Sequence, residues 1–276
     1  MDTFFELIRD HVRYRSQLFK LAKSDVIKKY RGAALGWSWA IIKPGTTLFV
    51  YWFAFAIGIR KGRMIDGYPF FLWMIAGFIP WFYIRDCLNV GSGAIRKYKY
   101  LVKKIKYPVG TIPTFVSLSN FYVNIALQVI MLAIFFVYGD RPTIYYSQII
   151  IINVAMLLFW TSWSLFASML SAMSSDFLNL VKSAVPALFW LSGVLYPAAK
   201  LKSDILRSLL LWNPVTITAN AYRNSLIYRK WIWETPREMR KRTSVPFLSR
   251  LRLSHVRRFP GRSRESGRVR RRPGAR

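Results

Sequence analysis

Apolar residues gather into long runs, of the order of the ~20 residues a helix needs to cross about 30 Å of hydrocarbon. Five runs are read as spans, at 35–59, 68–84, 114–138, 144–173 and 181–196. Two shorter and more polar segments follow at 198–212 and 215–228, separated by Asn213-Pro214. Each is too short and too polar to span, and they read as interfacial or re-entrant helices. The pattern predicts an all-α, polytopic integral membrane protein: an interfacial region over 1–34, a transmembrane domain over 35–236, and a distinct tail over 237–276.

The polar stretches between the runs are basic. The longest, residues 85–113, holds seven Lys/Arg and one acid, Asp86. At helical spacing Ile95, Tyr98, Val102 and Ile105 share one face, and Arg96, Lys99, Lys103 and Lys106 form an adjacent basic stripe, with Lys104 beside it. Gly91 and Gly93 precede this helix, and Pro108 and Pro113 follow it. It is either a solvated loop that only orients the protein or a helix that docks a partner. Upstream, Ile8, Val12, Phe19, Ala22 and Val26 approach helical spacing among basic residues suited to anionic headgroups. Ser24 or Asp25 reads there as the cap of a second short helix.

Charge assigns the sides. Eight Lys/Arg in residues 1–36, seven in 85–113 and one in 174–182 fall on one side; three in 60–67 and one in 139–143 fall on the other. The positive-inside rule puts the first side, and the N-terminus, in the cytoplasm.

Polar residues within the runs suggest packing or a path. Asn120, Asn124 and Gln128 recur every four residues and so face a neighbouring helix or water. Ser164, Ser168, Ser171 and Ser175 form a small-residue stripe suited to close helix contact. Pro44 reads as a kink or a helix start, Pro69 and Pro80 as markers near the ends of span two, and Asp176 and Lys182 as a short loop. Trp37 and Trp39 suit an interface.

Composition narrows the chemistry. The 276 residues carry a net charge of +30, are 53% apolar and 17% aromatic, and have mean hydropathy +0.22. Such charge usually indicates nucleic acid, but here it lies in loops between spans, so nucleic acid is not expected as a partner. The first 36 residues lack the short apolar core of a cleavable signal peptide. One cysteine, Cys87, and two distant histidines, His11 and His255, point to neither a disulfide nor a metal site. There is no G-x-x-x-x-G-K-S/T phosphate loop, no H-E-x-x-H and no G-x-S-x-G. The 12 acidic residues are scattered mostly in loops, which leaves little for acid/base catalysis. Neither enzymatic activity nor a bound cofactor is expected of this chain. The aromatic residues suit interface belts and packing, or stacking on sugar faces along a path.

The tail breaks the pattern. Residues 237–276 hold 15 Lys/Arg, of which 14 are arginine, whereas residues 1–236 split 15 Lys to 12 Arg. With five spans and an inside N-terminus the tail would lie outside, against the charge rule. An arginine-rich arm for nucleic acid or acidic lipid is one reading. A shifted reading frame that replaces a sixth span is the preferred one, and translation of the other two frames beyond codon 236 tests it.

The segments Lys29-Tyr30-Arg31, Leu35-Gly36, Trp39 and Pro44 resemble the start of span one in the type-2 ABC exporter permeases for O-antigen, capsule and teichoic acid. Tyr68-Pro69-Phe70, Ala76-Gly77 and Pro80-Trp81, the run 101–108, Asp176-Phe177, the run 192–197, Trp212-Asn213-Pro214 and Ala221-Tyr222-Arg223 continue the likeness, which covers about residues 10–235. It implies a six-span subunit, here without its sixth span. Such a subunit pairs with a second copy and with two ATP-binding cassette subunits that carry ATP and Mg. It moves a lipid-linked polysaccharide or teichoic-acid-like polymer across the bacterial cytoplasmic membrane. An exporter of a drug or small lipid, and a non-transporting scaffold, are the alternatives. On matching positions the ATPase contact is Ile95, Arg96, Tyr98, Lys99, Val102, Lys103, Lys104 and Lys106. The outer gate includes Trp212, Asn213 and Pro214. Trp190 and Tyr196, with the span-three amides, are placed on a path or in helix packing.

Overall fold

The computed structural model describes residues 2–32, 34–59, 64–105, 107–201 and 203–234. Lys106 and the tail 237–276 lie outside the described residues, as do the side chains of Lys103, Lys104 and Ile105. Among the described residues the chain is helical, with an isolated bridge between Ile65 and Tyr68 rather than a strand.

Two helices, α1 (Asp2–Arg13) and α2 (Arg15–Tyr30), precede the spans. Span one begins with a turn at Gly36–Ser38, continues as α3 (Trp39–Trp52) and ends in a π-helical stretch, Phe53–Ile59. Span two is α4 (Phe70–Asp86), extended by a π-helical turn, Cys87–Gly91. The basic loop holds α5 (Ala94–Lys97) and α6 (Lys99–Ile105). Spans three and four are α7 (Ile112–Val137) and α8 (Gln148–Met173). Then come α9 (Ser175–Trp190), α10 (Asp204–Trp212) and α11 (Pro214–Arg223).

Among the described residues four helical stretches are long and apolar enough to cross a membrane: Gly36–Gly58, Phe70–Gly91, Val109–Val137 and Ile144–Met173. The fifth expected span differs. Its helix starts at Ser175, six residues before the apolar run, and ends at Trp190, after which residues 191–197 turn. Ser174 is extended and breaks the chain after α8. Asp176, expected in a loop, sits in the first turn of α9, where a carboxylate favours the helix dipole. Lys182 is inside the helix, with a stem long enough to reach an interface.

The core forms around α4. From Leu72 to Ile84 the helix is buried on every side, the pattern of a central helix rather than an amphipathic one. Pro80 lies within this helix and Pro44 within α3, so neither marks a helix end. Pro69 does, as the residue preceding α4. α3, α7 and α11 pack around α4, and α8 packs on the π-helical turn that extends it. Small residues permit the closest approach: a Cβ at Gly91 would lie 2.3 Å from Ser164 Oγ. Ser164 donates to the Cys87 carbonyl at 3.2 Å and Ser171 to that of Ser92. The serine stripe is therefore the α8 contact face, except for Ser175, which is exposed at the start of α9.

Candidate functional site

One end of the bundle gathers α1, α2 and the basic loop. The buried face of α2 is Leu18, Ala22, Asp25 and Val26, which follows helical spacing and lies on α7. Asp25 is thus mid-helix and inward, not a cap. Ile8, Val12 and Phe19, read above as one face with Ala22 and Val26, are exposed; the chain breaks at Tyr14 between α1 and α2, so Ile8 and Val12 do not continue the face of α2. α1 is anchored by His11, whose ring bonds the Leu7 carbonyl and Thr114 Oγ1, each at 2.7 Å.

Asp25 joins three elements. Its carboxylate accepts from the Tyr98 hydroxyl and from Ser119 Oγ at 2.5 Å, and pairs with Lys29 at 3.1 Å. Lys29 also donates to Ser119 Oγ at 3.0 Å and Asn120 Oδ1 at 2.6 Å. Burial pushes the Asp25 carboxyl up, but Lys29 and the hydroxyls of Ser119 and Tyr98 outweigh it and hold it below the ordinary carboxylate value. Tyr98 is held up by burial and by that carboxylate. The same contact explains a departure from sequence expectation. One helix was expected across residues 95–106, but the chain breaks at Tyr98, whose ring sinks toward α2 and stacks edge-on against Phe115 at 5.0 Å.

The two short helices keep the expected polarity. Ala94, Tyr98 and Leu101 are buried, and Ile95 and Val102 are half-buried. Arg96, Lys97, Lys99 and Tyr100 are exposed. Arg96 is already engaged, donating to the Ser171 carbonyl at the end of α8 at 2.9 Å.

The span-three amides continue inward. Asn124 donates to the Ile79 carbonyl at 2.6 Å. Gln128 donates to Asn124 Oδ1 at 2.5 Å and exchanges hydrogen bonds with Asn153 of α8 at 2.8 and 2.9 Å. Asn153 accepts from the Tyr222 hydroxyl at 2.6 Å. Asn120, Asn124 and Gln128 are all buried, so these amides join helices to one another.

A different surface is open. Between α3, α4 and α9 lies a groove of about 280 Å³ walled by Tyr51, Phe78, Trp81, Phe189 and Trp190, with Arg85 and Lys182 also lining it. Ring centroids of Tyr51 and Phe78 are 5.2 Å apart, as are those of Trp81 and Phe189. Trp190 is half exposed, and its carbonyl accepts from the Tyr196 hydroxyl at 2.8 Å.

At the opposite end Asn213 caps α11, accepting from the Val215 amide at 2.9 Å and donating to the Leu191 carbonyl at 3.1 Å, while Pro214 occupies the first helical position. Trp212 is exposed. Beneath them Arg223 is fully buried. It donates to the carbonyls of Gly193 (2.6 Å), Val194 (2.5 Å) and Trp73 (3.3 Å), and its guanidinium lies 3.4 Å from the Trp73 ring centroid. Sequence reading missed the roles of Asp25, Lys29 and Arg223. The i,i+4 spacing of Asp25 and Lys29 on the face of Ala22 and Val26 is the signal for the first two.

These features define a multi-pass, all-helical membrane protein with polar clusters at both ends and an aromatic groove along one side. The chain belongs to the ABC-2 type transporter family, whose sequence profile matches residues 16–227. It is similar to the O-antigen export system permease protein RfbA of Myxococcus xanthus, at 26% identity over 218 residues, covering 79% of this chain and 82% of that relative. Two proteins of the same name from Klebsiella pneumoniae match at 24% over 208 residues and 22% over 209, each covering 75% of this chain and 78% of the relative.

Proposed function

We propose that this chain is the membrane permease of an ATP-driven exporter of a lipid-linked polysaccharide, with its N-terminus in the cytoplasm. The aromatic groove is the observation that carries the substrate class: sugar rings stack on aromatic faces, and Tyr51 and Trp190 offer such faces between span one and α9, with the buried Trp81 packed behind them. The names of the similar proteins give O-antigen, which supports the same class; capsule and teichoic-acid-like polymers are the other members proposed.

ATP and Mg belong to separate cassette subunits in this reading. Arg96 and Lys99 form the exposed part of the contact for them, with Ile95, Tyr98 and Val102 packed inward beneath, joined by Lys103, Lys104 and Lys106 outside the described side chains. Trp212, Asn213 and Pro214 belong to the outer gate. Deletion of the gene in its native host tests the proposal. Loss of a surface glycan with accumulation of its lipid-linked form inside is expected, and an unchanged surface glycan overturns it.

A further inference from the structure

Beside the Asp25 cluster, at the end of the spans that carries α2, a cavity of about 360 Å³ opens between α2, α3, α4 and α7. Lys29, Lys43, Arg85 and Lys97 line it together with one acid, Asp86. Lys29 is neutralised by Asp25 at 3.1 Å, and Arg85 by Asp86 at 2.9 Å. Lys43 and Lys97 have no carboxylate partner among the described residues. Their ammonium groups lie 5.8 Å from the Trp39 ring and 4.9 Å from the Tyr98 ring. Asn120, 95% buried in the same wall, accepts from Lys29 at its Oδ1, and its Nδ2 is enclosed without an acceptor. Such an unmatched buried donor is costly. The cavity thus presents an excess of positive charge.

Its other wall is apolar apart from Tyr83 and Asn124, whose amide is already bonded to the Ile79 carbonyl and to Gln128. Phe82, Val123 and Leu127 lie further along α4 and α7, toward the middle of the spans. Cations at the mouth and hydrocarbon behind them fit a headgroup and the first carbons of its chain, the arrangement by which basic pockets between spans hold anionic lipids.

We propose that this cavity is a subsite for the phosphate of an amphiphile entering from the adjoining leaflet. The phosphate belongs either to a bilayer phospholipid or to the diphosphate carrier of an exported glycan. The second source rests on the export reading above; the first does not.

Isothermal titration of the full chain in neutral detergent tests this with dihexanoylphosphatidylglycerol, geranyl diphosphate and inorganic pyrophosphate. Both amphiphiles are expected to bind, and geranyl diphosphate at least tenfold more tightly than pyrophosphate. Lys43→Gln with Lys97→Gln weakens both at least tenfold. Lys20→Gln with Lys23→Gln removes equal charge from the exposed face of α2 and leaves binding unchanged. A tenfold preference for geranyl diphosphate over the phospholipid assigns the subsite to a diphosphate carrier, and the reverse assigns it to the bilayer. Equal loss in the Lys20/Lys23 variant, or pyrophosphate binding as tight as geranyl diphosphate, overturns the proposal. Intact amphiphile binding in a protein whose deletion leaves surface glycan unchanged removes the export reading alone.

Discussion

Asp25 concentrates the chemistry of the N-terminal end into one side chain. Hydrogen bonds to a charged group contribute about 1.5 to 3 kcal/mol each, and this carboxylate holds Tyr98, Ser119 and Lys29 together. Asp25→Asn should therefore destabilise the protein by about 2 to 3 kcal/mol, measured by thermal unfolding in detergent at pH 7. The pH dependence follows from the direction of the shift. The folded carboxyl titrates below its unfolded value, so its contribution is complete above the ordinary carboxylate pKa of about 3.9 and disappears as pH falls through the folded value. The stability gap between wild type and Asp25→Asn should close on acidification below about pH 4; a gap that widens there contradicts the assignment. At the other end a Cβ on Gly77 would lie 2.4 Å from Arg223 Nη2. Gly77→Ala should cost about 1 to 3 kcal/mol by overpacking, which a melting curve reads directly.

Among elements, the contact of α8 with the turn after α4 makes a paired prediction. Gly91→Ala should destabilise by about 1 to 3 kcal/mol, because its methyl meets Ser164. Adding Ser164→Ala should recover part of that loss, since the Oγ is the nearer obstacle and the Ser164 Cβ, at 2.9 Å, remains. Additive losses in the double variant would contradict the packing. The same element shows what a sequence reveals. The serine stripe and the amide stripe of α7 announced packed faces through their spacing alone. The break at Tyr98 did not show, because local propensity favours one amphipathic helix and only a contact with Asp25, 73 residues earlier, ends it. The limits of α9 were hidden for a similar reason. Ser175 to Leu180 are too polar to read as membrane span, yet helix-forming once Ser174 interrupts α8. Pro80, read as a marker near the end of span two, lies inside α4, where burial offsets the interior hydrogen bond that proline costs.

For the whole molecule, the architecture was legible where hydrophobic length decides it. The four long spans match their apolar runs closely, and the family match over residues 16–227 agrees with the resemblance read from short motifs over about 10–235. Site chemistry was less legible. The basic loop stood out by charge, but the residue that holds it, Asp25, is an ordinary acid in a basic segment until the fold places Tyr98 and Ser119 beside it. The aromatic groove was invisible as a unit, since Tyr51, Trp81 and Trp190 come from three separate apolar runs.

The central claim is that this chain is a membrane subunit driven by a separate ATPase through residues 94–106. Affinity purification of the full chain from its native membrane, with mass spectrometry of what remains bound, tests it most directly. The account predicts a stoichiometric ATP-binding cassette subunit with the wild-type chain and its loss when Lys99, Lys103 and Lys104 are changed to Glu. A correctly inserted wild-type chain that retains no ATP-binding subunit would contradict it.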